Sequence, residues 1–306
     1  MSGVGTALPL QPAARPETAA TSADRPSPQD LPQPSLAVPG IDALALPDEA
    51  RRFGGLARLY GADGATRIRQ AHVVVVGIGG VGSWAAEALA RSGVARLTLV
   101  DLDHVAESNI NRQVHALTPT VGQAKVAAMR ERIAQIHPAC EVQGVEEFVD
   151  AGNWPAVAGL ADALPEDAPL AVIDACDQVQ AKTVMAAWAL RTGAVFIALG
   201  AAGGKRHAHR MEVQDLADVT HDPLLAQLRY RLRKHHGAAR QGRMGVACVF
   251  SRENVRQPQA CDLGGGAPSD GSLNCHGYGS LVGVTATFGM CAATEVMNML
   301  VQSQKP

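Results

Sequence analysis

The stretch that most constrains this chain is His72-Val73-Val74-Val75-Val76 running directly into Gly77-Ile78-Gly79-Gly80-Val81-Gly82. An uninterrupted apolar run of this kind makes a strand covered on both faces, because it leaves no face for water. The glycines that follow permit a tight turn, and let backbone amides approach an anion at the start of the next helix. Asp101 closes the next β-branched run, 19 residues after Gly82. A carboxylate there can accept hydrogen bonds from ribose hydroxyls. Strand, glycine turn, helix, strand and acid in this order specify a βαβ nucleotide-binding unit. On their own they do not separate ATP from NAD.

The alternation continues along the chain. Helical patterns at 81–92, 121–136 and 179–192 interleave with apolar runs at 96–100, 141–145, 170–173 and 195–199. The expected fold class is therefore α/β: a Rossmann-like, doubly wound, mainly parallel sheet. After Gly200 the rhythm weakens into a Gly-rich turn, a charged helix near 223–236, a short strand at 245–250, a polar Gly/Pro/Cys loop and a final apolar helix. These make an additional C-terminal α+β part. The last stretch, 279–301, is long enough to span a bilayer, but Glu295, Asn298 and many small residues favour a buried core helix, so no stable membrane insertion is expected.

The residues after Asp101 discriminate between nucleotides. Asp101-Leu102-Asp103 leads to Ser108-Asn109-Ile110-Asn111-Arg112-Gln113, then Gly122-Gln123-Ala124-Lys125, then Asp174-Ala175-Cys176-Asp177. Hydride transfer has no use for this set. Two cations, several carboxamides and a downstream acid suit a polyphosphate attacked at its α-phosphorus, because charge developing on phosphoryl oxygens calls for fixed donors and a metal ion. The series resembles the D-x-D, N-x-x-R-Q, G-x-x-K and D-x-x-D motifs of the ubiquitin-activating-enzyme-like superfamily, whose members adenylate carboxylates.

That resemblance implies ATP and Mg2+ as cofactors. Gly77, Gly79, Gly80 and Gly82 would surround phosphate, Asp101 would hold ribose, and Asn109, Arg112, Gln113 and Lys125 would surround the triphosphate. Asp177 would hold the metal. Asp103 and Asn111 belong to the same binding set, with capping of the following turn as an equal alternative. In the superfamily an arginine before the first strand reaches the partner subunit's ATP. Arg52-Phe53-Gly54-Gly55-Leu56-Ala57-Arg58-Leu59-Tyr60-Gly61 occupies that region, which leaves Arg52 and Arg58 as candidates and implies a homodimer.

Within the superfamily, the run 52–61, Gly79-Gly80-Val81-Gly82-Ser83-Trp84, Leu89-Ala90-Arg91-Ser92-Gly93, Asp222-Pro223-Leu224 and Thr285-Ala286-Thr287-Phe288-Gly289 resemble the tRNA threonylcarbamoyladenosine dehydratases. The expected division is a disordered Pro/Ala-rich extension at 1–48, an ATP-binding adenylation core at 49–204 and, within the same domain, a substrate- and dimer-contact part at 205–306. The reaction implied is ATP-dependent cyclisation of N6-threonylcarbamoyladenosine in tRNA through an acyl-adenylate of the threonyl carboxylate. One departure stands out: the turn at 200–204 continues as Lys205-Arg206-His207-Ala208-His209, where the relatives lead one to expect an Asp-Pro-bearing segment.

The partner implied is tRNA, although the net charge of −2 gives no global field to recruit it. A local basic stretch, Arg229, Arg231, Arg233, Lys234, Arg240 and Arg243, offers either an RNA contact or a solvated helix face. Cys275 lies in Asn274-Cys275-His276-Gly277, and superfamily relatives use cysteines to carry sulfur or ubiquitin-like chains, which leaves Cys275 either a chemical role or that of a loop residue, and leaves open a cysteine-desulfurase sulfur-acceptor system as a further partner. The six cysteines contain no C-x-x-C pair, which argues against a zinc site and for a reducing cytoplasm. The missing pairs also count against the main alternative, adenylation of a ubiquitin-like sulfur carrier. A second alternative, a non-catalytic RNA-binding scaffold, predicts loss of Arg112, Lys125 or Asp177, and all three are present.

Overall fold

Hydrogen bonding on both sides of the valine run makes β1 (His72–Val76) an interior strand. It pairs in parallel with β2 (Arg96–Val100), His72 facing Arg96, and with β4 (Leu170–Asp174), Val76 facing Asp174. The computed structural model describes residues 47–161, 169–256 and 278–303. In it β3 (Glu141–Val145) lies outside β2, and β5 (Val195–Leu199) outside β4. Beyond β5 come β7 (Ala247–Ser251), parallel, and β6 (Met211–Asp215), an antiparallel edge strand. The order is β3-β2-β1-β4-β5-β7-β6.

The valines divide between two cores. Val73 and Val75 pack with α3 (Gly82–Arg91), α4 (Lys125–Ile136) and α7 (Val282–Gln302), whereas Val74 and Val76 pack with α5 (Val179–Thr192) and α6 (Pro223–His235). Each valine is almost wholly buried. Burial of a side chain this size contributes about 1.5–3 kcal/mol, so both helical layers are needed to cover the strand. The apolar helix α7 sits in the first core through Val284, Phe288, Ala292, Val296 and Leu300. Its Asn298 accepts a hydrogen bond from Tyr60 of α2 (Gly55–Gln70) at 2.9 Å, and Arg67 of α2 donates to the Leu300 carbonyl at 2.6 Å.

Ahead of α2, Asp48 caps the short helix α1 (Glu49–Phe53) by accepting from the Arg51 amide. The extension reading placed this residue among the disordered ones; residues 1–46 lie outside the described residues. Residues Pro47–Pro306 form one compact unit. The sheet crosses the expected boundary at 204 without interruption, since β7 bonds directly to β5. Strand order reverses between β1 and β4, and this reversal opens a crevice outside their carboxyl ends.

Candidate active site

The turn after β1 enters that crevice. Gly77 has φ +88°, and a Cβ on it would lie 2.8 Å from the Ala175 carbonyl oxygen of the neighbouring strand end. A Cβ on Gly82 would lie 1.8 Å from the Gly77 carbonyl oxygen, so the turn closes only with glycine at 82. The amides of Gly79, Gly80 and Val81 have no partner among the described residues and open at the N-terminus of α3. Free amides at a helix start, with the helix dipole behind them, suit a phosphate.

Asp101 anchors the other side. Its Oδ2 accepts from the Ile78 amide at 2.6 Å and its Oδ1 from the Asp103 amide at 2.9 Å, which ties the glycine turn to the end of β2. Burial pushes its carboxyl above the ordinary range, and Lys125 pulls in the opposite direction. Lys125 Nζ lies 2.6 Å from Asp103 Oδ2 and 3.8 Å from Asp101 Oδ1. Lys125 and Asp101 are nearly buried while Asp103 is 61% exposed, so the ammonium can exchange Asp103 for an entering anion.

Asn109, expected beside the triphosphate, caps the turn instead: its Oδ1 accepts from the Ala106 amide at 3.0 Å. Asn111 instead donates to the Ser280 carbonyl at 3.1 Å and accepts from Arg112 Nη1 at 3.0 Å. Arg112 Nη1 also donates to the Ser108 carbonyl at 2.6 Å. Its Nε is buried without a partner, as is Oε1 of Gln113. Arg112 lies directly under the glycine turn, since a Cβ on Gly80 would meet its Cγ at 3.4 Å. A buried, unsatisfied guanidinium N–H beside open amides fits an anionic ligand, because an orphaned donor is otherwise costly.

Two residues absent from the expected set hold Arg112 in place. Trp84 Nε1 donates to its carbonyl at 2.9 Å, and Thr285 Oγ1 at 3.3 Å. Thr285 belongs to α7, which approaches α3 so closely that a Cβ on Gly289 would sit 2.5 Å from the Val81 carbonyl oxygen. The C-terminal helix thus forms the floor of the site. The family-like run from Thr285 to Gly289 carries this signal, though without indicating what it touches.

The two acids of Asp174-Ala175-Cys176-Asp177 divide sharply. Asp177 is exposed and has no hydrogen bond or ion pair among the described residues, which suits a metal ligand. Asp174 is fully buried, with its Oδ2 3.0 Å from Lys182 Nζ, and Lys182 donates to the Asp174 carbonyl at 3.3 Å. Burial acts to lower the Lys182 pKa, but attraction to Asp174 prevails and the pKa is raised, keeping the ammonium charged. Asp174 Oδ1 accepts from the Cys176 amide at 3.3 Å and from its thiol at 3.0 Å. The pair therefore shapes the turn that presents Asp177.

Arg52 and Arg58 are not brought here by their own chain. Arg52 donates to the Ile136 carbonyl at 2.9 Å, and Phe53 beside it packs on Gly93. Both contacts lie just before β3 and β2, at the amino ends of the strands and so at the edge opposite the crevice. Arg58 is exposed on α2 with no side-chain partner among the described residues. The basic stretch does not converge on the crevice: Arg229 donates to the Leu216 and Val219 carbonyls and lines a cleft with Asn254 and Val255, Arg233 donates to the Ala239 carbonyl, and Arg243 lies 3.8 Å from Asp215 at the amino edge of β7. Cys261, Cys275 and His276 lie outside the described residues. Burial raises the thiols of Cys140, to about 12, and of Cys176, Cys248 and Cys291, which keeps all four protonated.

With this geometry in hand, comparison with known proteins is decisive. The ThiF family model matches residues 53–306, nearly the whole described chain. The chain belongs to the ThiF family. It is 41% identical over 257 residues to the tRNA threonylcarbamoyladenosine dehydratase of Escherichia coli, covering 82% of this chain and 93% of that protein. The Haemophilus influenzae protein of the same name is 38% identical over 269 residues, covering 87% and 99%. The crystal structure of the E. coli enzyme in complex with ATP superposes with a TM-score of 0.72 at 39% identity, covering 85% of this chain and 98% of that one. The mainly parallel sheet is therefore the ThiF-type Rossmann-like fold.

Proposed function

We propose that this chain uses ATP to dehydrate N6-threonylcarbamoyladenosine in tRNA, closing it to a cyclic base. One observation carries the reading: in a chain aligned along almost the full length of dehydratase relatives, open amides, a buried unpartnered Arg112 Nε and an exchangeable Lys125 converge on one crevice. These are the donors that an adenylation needs.

The chemistry divides into two steps. An oxygen of the threonyl carboxylate attacks the α-phosphorus of ATP, a P–O bond breaks, and pyrophosphate leaves. The carbamoyl group then attacks the activated carbonyl carbon, and AMP departs with the original carboxylate oxygen. The carbamoyl group gives up one N–H proton as the ring closes, so the base loses the elements of water, the oxygen leaving in AMP and the proton passing to solvent or pyrophosphate. The amides of Gly79, Gly80 and Val81 would hold phosphate oxygens, and Arg112 and Lys125 would stabilise charge developing on them. Gln113, 4.0 Å by its Nε2 from the Cβ position of Gly79, lies within reach of the same oxygens. Asp101 would accept from ribose through its remaining lone pairs. Asp177 would hold Mg2+, which supplies charge neutralisation for the phosphates. No cysteine is required, in keeping with the protonated thiols of the described residues.

Arg52 and Arg58 could reach a triphosphate only in a second copy, which supports a homodimer with an arginine supplied in trans. The packed α7 and the tRNA substrate support a cytoplasmic protein rather than a membrane-inserted one. The test is mass spectrometry of nucleosides from threonylcarbamoylated tRNA incubated with and without Mg-ATP. ATP-dependent loss of water, absent in Arg112→Ala, is the expected result. An unchanged base in the presence of bound ATP would refute the substrate assignment.

A further inference from the structure

The segment that departs from the family pattern occupies a definite place. Residues 205–210 follow β5 and precede β6, while 252–256 follow β7, so both lie at the carboxyl edge of the sheet, the edge that carries the nucleotide crevice. A short link joins the two regions. Gly204 donates to the Gly279 carbonyl at 2.9 Å, and the next carbonyl, Ser280, accepts from Asn111 of the nucleotide site at 3.1 Å.

Buried groups fix the loop's backbone. Glu253, 4% exposed, accepts from the Arg206 amide at 2.8 Å and the His207 amide at 2.9 Å through one carboxylate oxygen. Lys205, also buried, donates to the Ser251 and Glu253 carbonyls, each at 3.1 Å. The first lysine of the motif is thus structural, and the cations after it are turned outward. Arg206 and Arg210 are exposed with no ion pair among the described residues. Arg256 is exposed 3.6 Å from Glu253, and Arg252 is satisfied by Glu212 at 2.6 Å. His207 and His209 stand between the arginines and pack on each other, ring centroids 5.4 Å apart at 56°.

We propose that Arg206, Arg210 and Arg256, presented by this pinned loop, are where the phosphodiester backbone of the substrate RNA lies beside the crevice. This rests on the tRNA reading above. A nucleotide bound in the crevice continues into a polyanion on either side, and a guanidinium surface on the same edge meets that charge. The basic residues at the end of α6 lie farther off, because α6 starts at Asp222, whose carboxylate accepts from the Ala201 amide at 2.9 Å, and runs about 20 Å from there to His235, although Arg229, midway along it, still lines a cleft with Asn254 and Val255.

The test is tRNA binding across a salt series for the full chain, for Arg206→Ala/Arg210→Ala, for Arg206→Lys/Arg210→Lys and for Arg231→Ala/Lys234→Ala, with ATP titration confirming an intact crevice in each. We expect the first variant to weaken binding and to make the slope of log affinity against log salt less negative by about 0.7–0.9 per lost contact. The lysine pair should retain the slope. An unchanged slope in the alanine pair, or an equal loss from the α6 pair, overturns the proposal. A native chain that binds RNA through Arg206 and Arg210 but leaves the modified base unchanged upholds the surface and refutes the dehydration reading; one that binds no RNA refutes both.

Discussion

Replacing Lys182 with methionine removes the one cation paired with Asp174 among the described residues, in a place where both side chains are fully buried. At 3.0 Å and an effective dielectric constant of about 20, the attraction between the two charges is about 5 kcal/mol. Desolvation consumes much of that, so the intact pair is not strongly stabilising. Breaking it is a different matter, since a buried carboxylate left alone costs about 3–5 kcal/mol. A typical domain has about 5–15 kcal/mol in total. Methionine keeps most of the volume, so the loss reports charge rather than a cavity. Urea denaturation of the native chain, Lys182→Met, Asp174→Asn and the double variant measures the coupling, and the double variant should recover part of the loss. The deficit of Lys182→Met should also shrink as pH falls. Without its cation the Asp174 carboxyl stands above its unfolded pKa, so the folded state takes up the proton first and gains stability on acidification. A cost under about 1 kcal/mol, or a double variant no better than Lys182→Met, would refute the reasoning.

Gly82→Ala should lower ATP affinity about five- to 150-fold in a binding titration, because overpacking of about 1–3 kcal/mol falls on the phosphate turn. Unchanged affinity would mean that the turn relaxes freely. Asp177→Asn should raise the Mg2+ concentration needed for activity while leaving folding stability within about 0.5 kcal/mol, as befits an exposed side chain. His115, buried with both ring nitrogens unpartnered, has its pKa lowered from 6.5 to about 4 by burial, with Lys125 and Arg132 adding to the shift. Its contribution is complete above pH 6.5 and is lost as pH falls toward 4, because the unfolded chain protonates first. Between neutral pH and pH 5 the native chain should therefore lose about 2 kcal/mol more than His115→Phe. His72, lowered to about 4 chiefly by burial, acts alike in both proteins and cancels. Equal losses in denaturation midpoints would count against this.

The fold was legible wherever residue type and structural period coincide. The valine run, the glycine turn and Asp101 specify β1, the start of α3 and the end of β2 through local geometry alone. β6 was missed because Met211-Glu212-Val213-Gln214-Asp215 is a one-sided edge strand whose polar residues resemble a loop. α2 was missed because Gly55, Gly61 and Gly64 interrupt its pattern, and at Gly61 the backbone leaves the helix with φ +75°. The helix expected over 121–136 begins only at Lys125, since Gly122 at φ +89° bends the chain just before it. In the site, Arg112, Gln113 and Lys125 were readable because their chemistry is specific to phosphate. Lys182, Trp84 and Thr285 were not, because supporting side chains are defined by what they touch, at separations of 8, 28 and 173 residues, rather than by type. The basic stretch shows the converse: composition announces its charge, but only the direction of α6 shows which edge that charge faces.

Gly204 donates its N–H to Gly279 and accepts at its carbonyl from the Arg256 amide at 3.0 Å. Its φ is +71°, and a Cβ there would lie 2.9 Å from Val255. One glycine therefore ties the backbone that follows β7 to the backbone that precedes α7. That tie works as a single latch: one methyl group added at Gly204 would strain both bonds at once and loosen the end of β7 and the approach to α7 together.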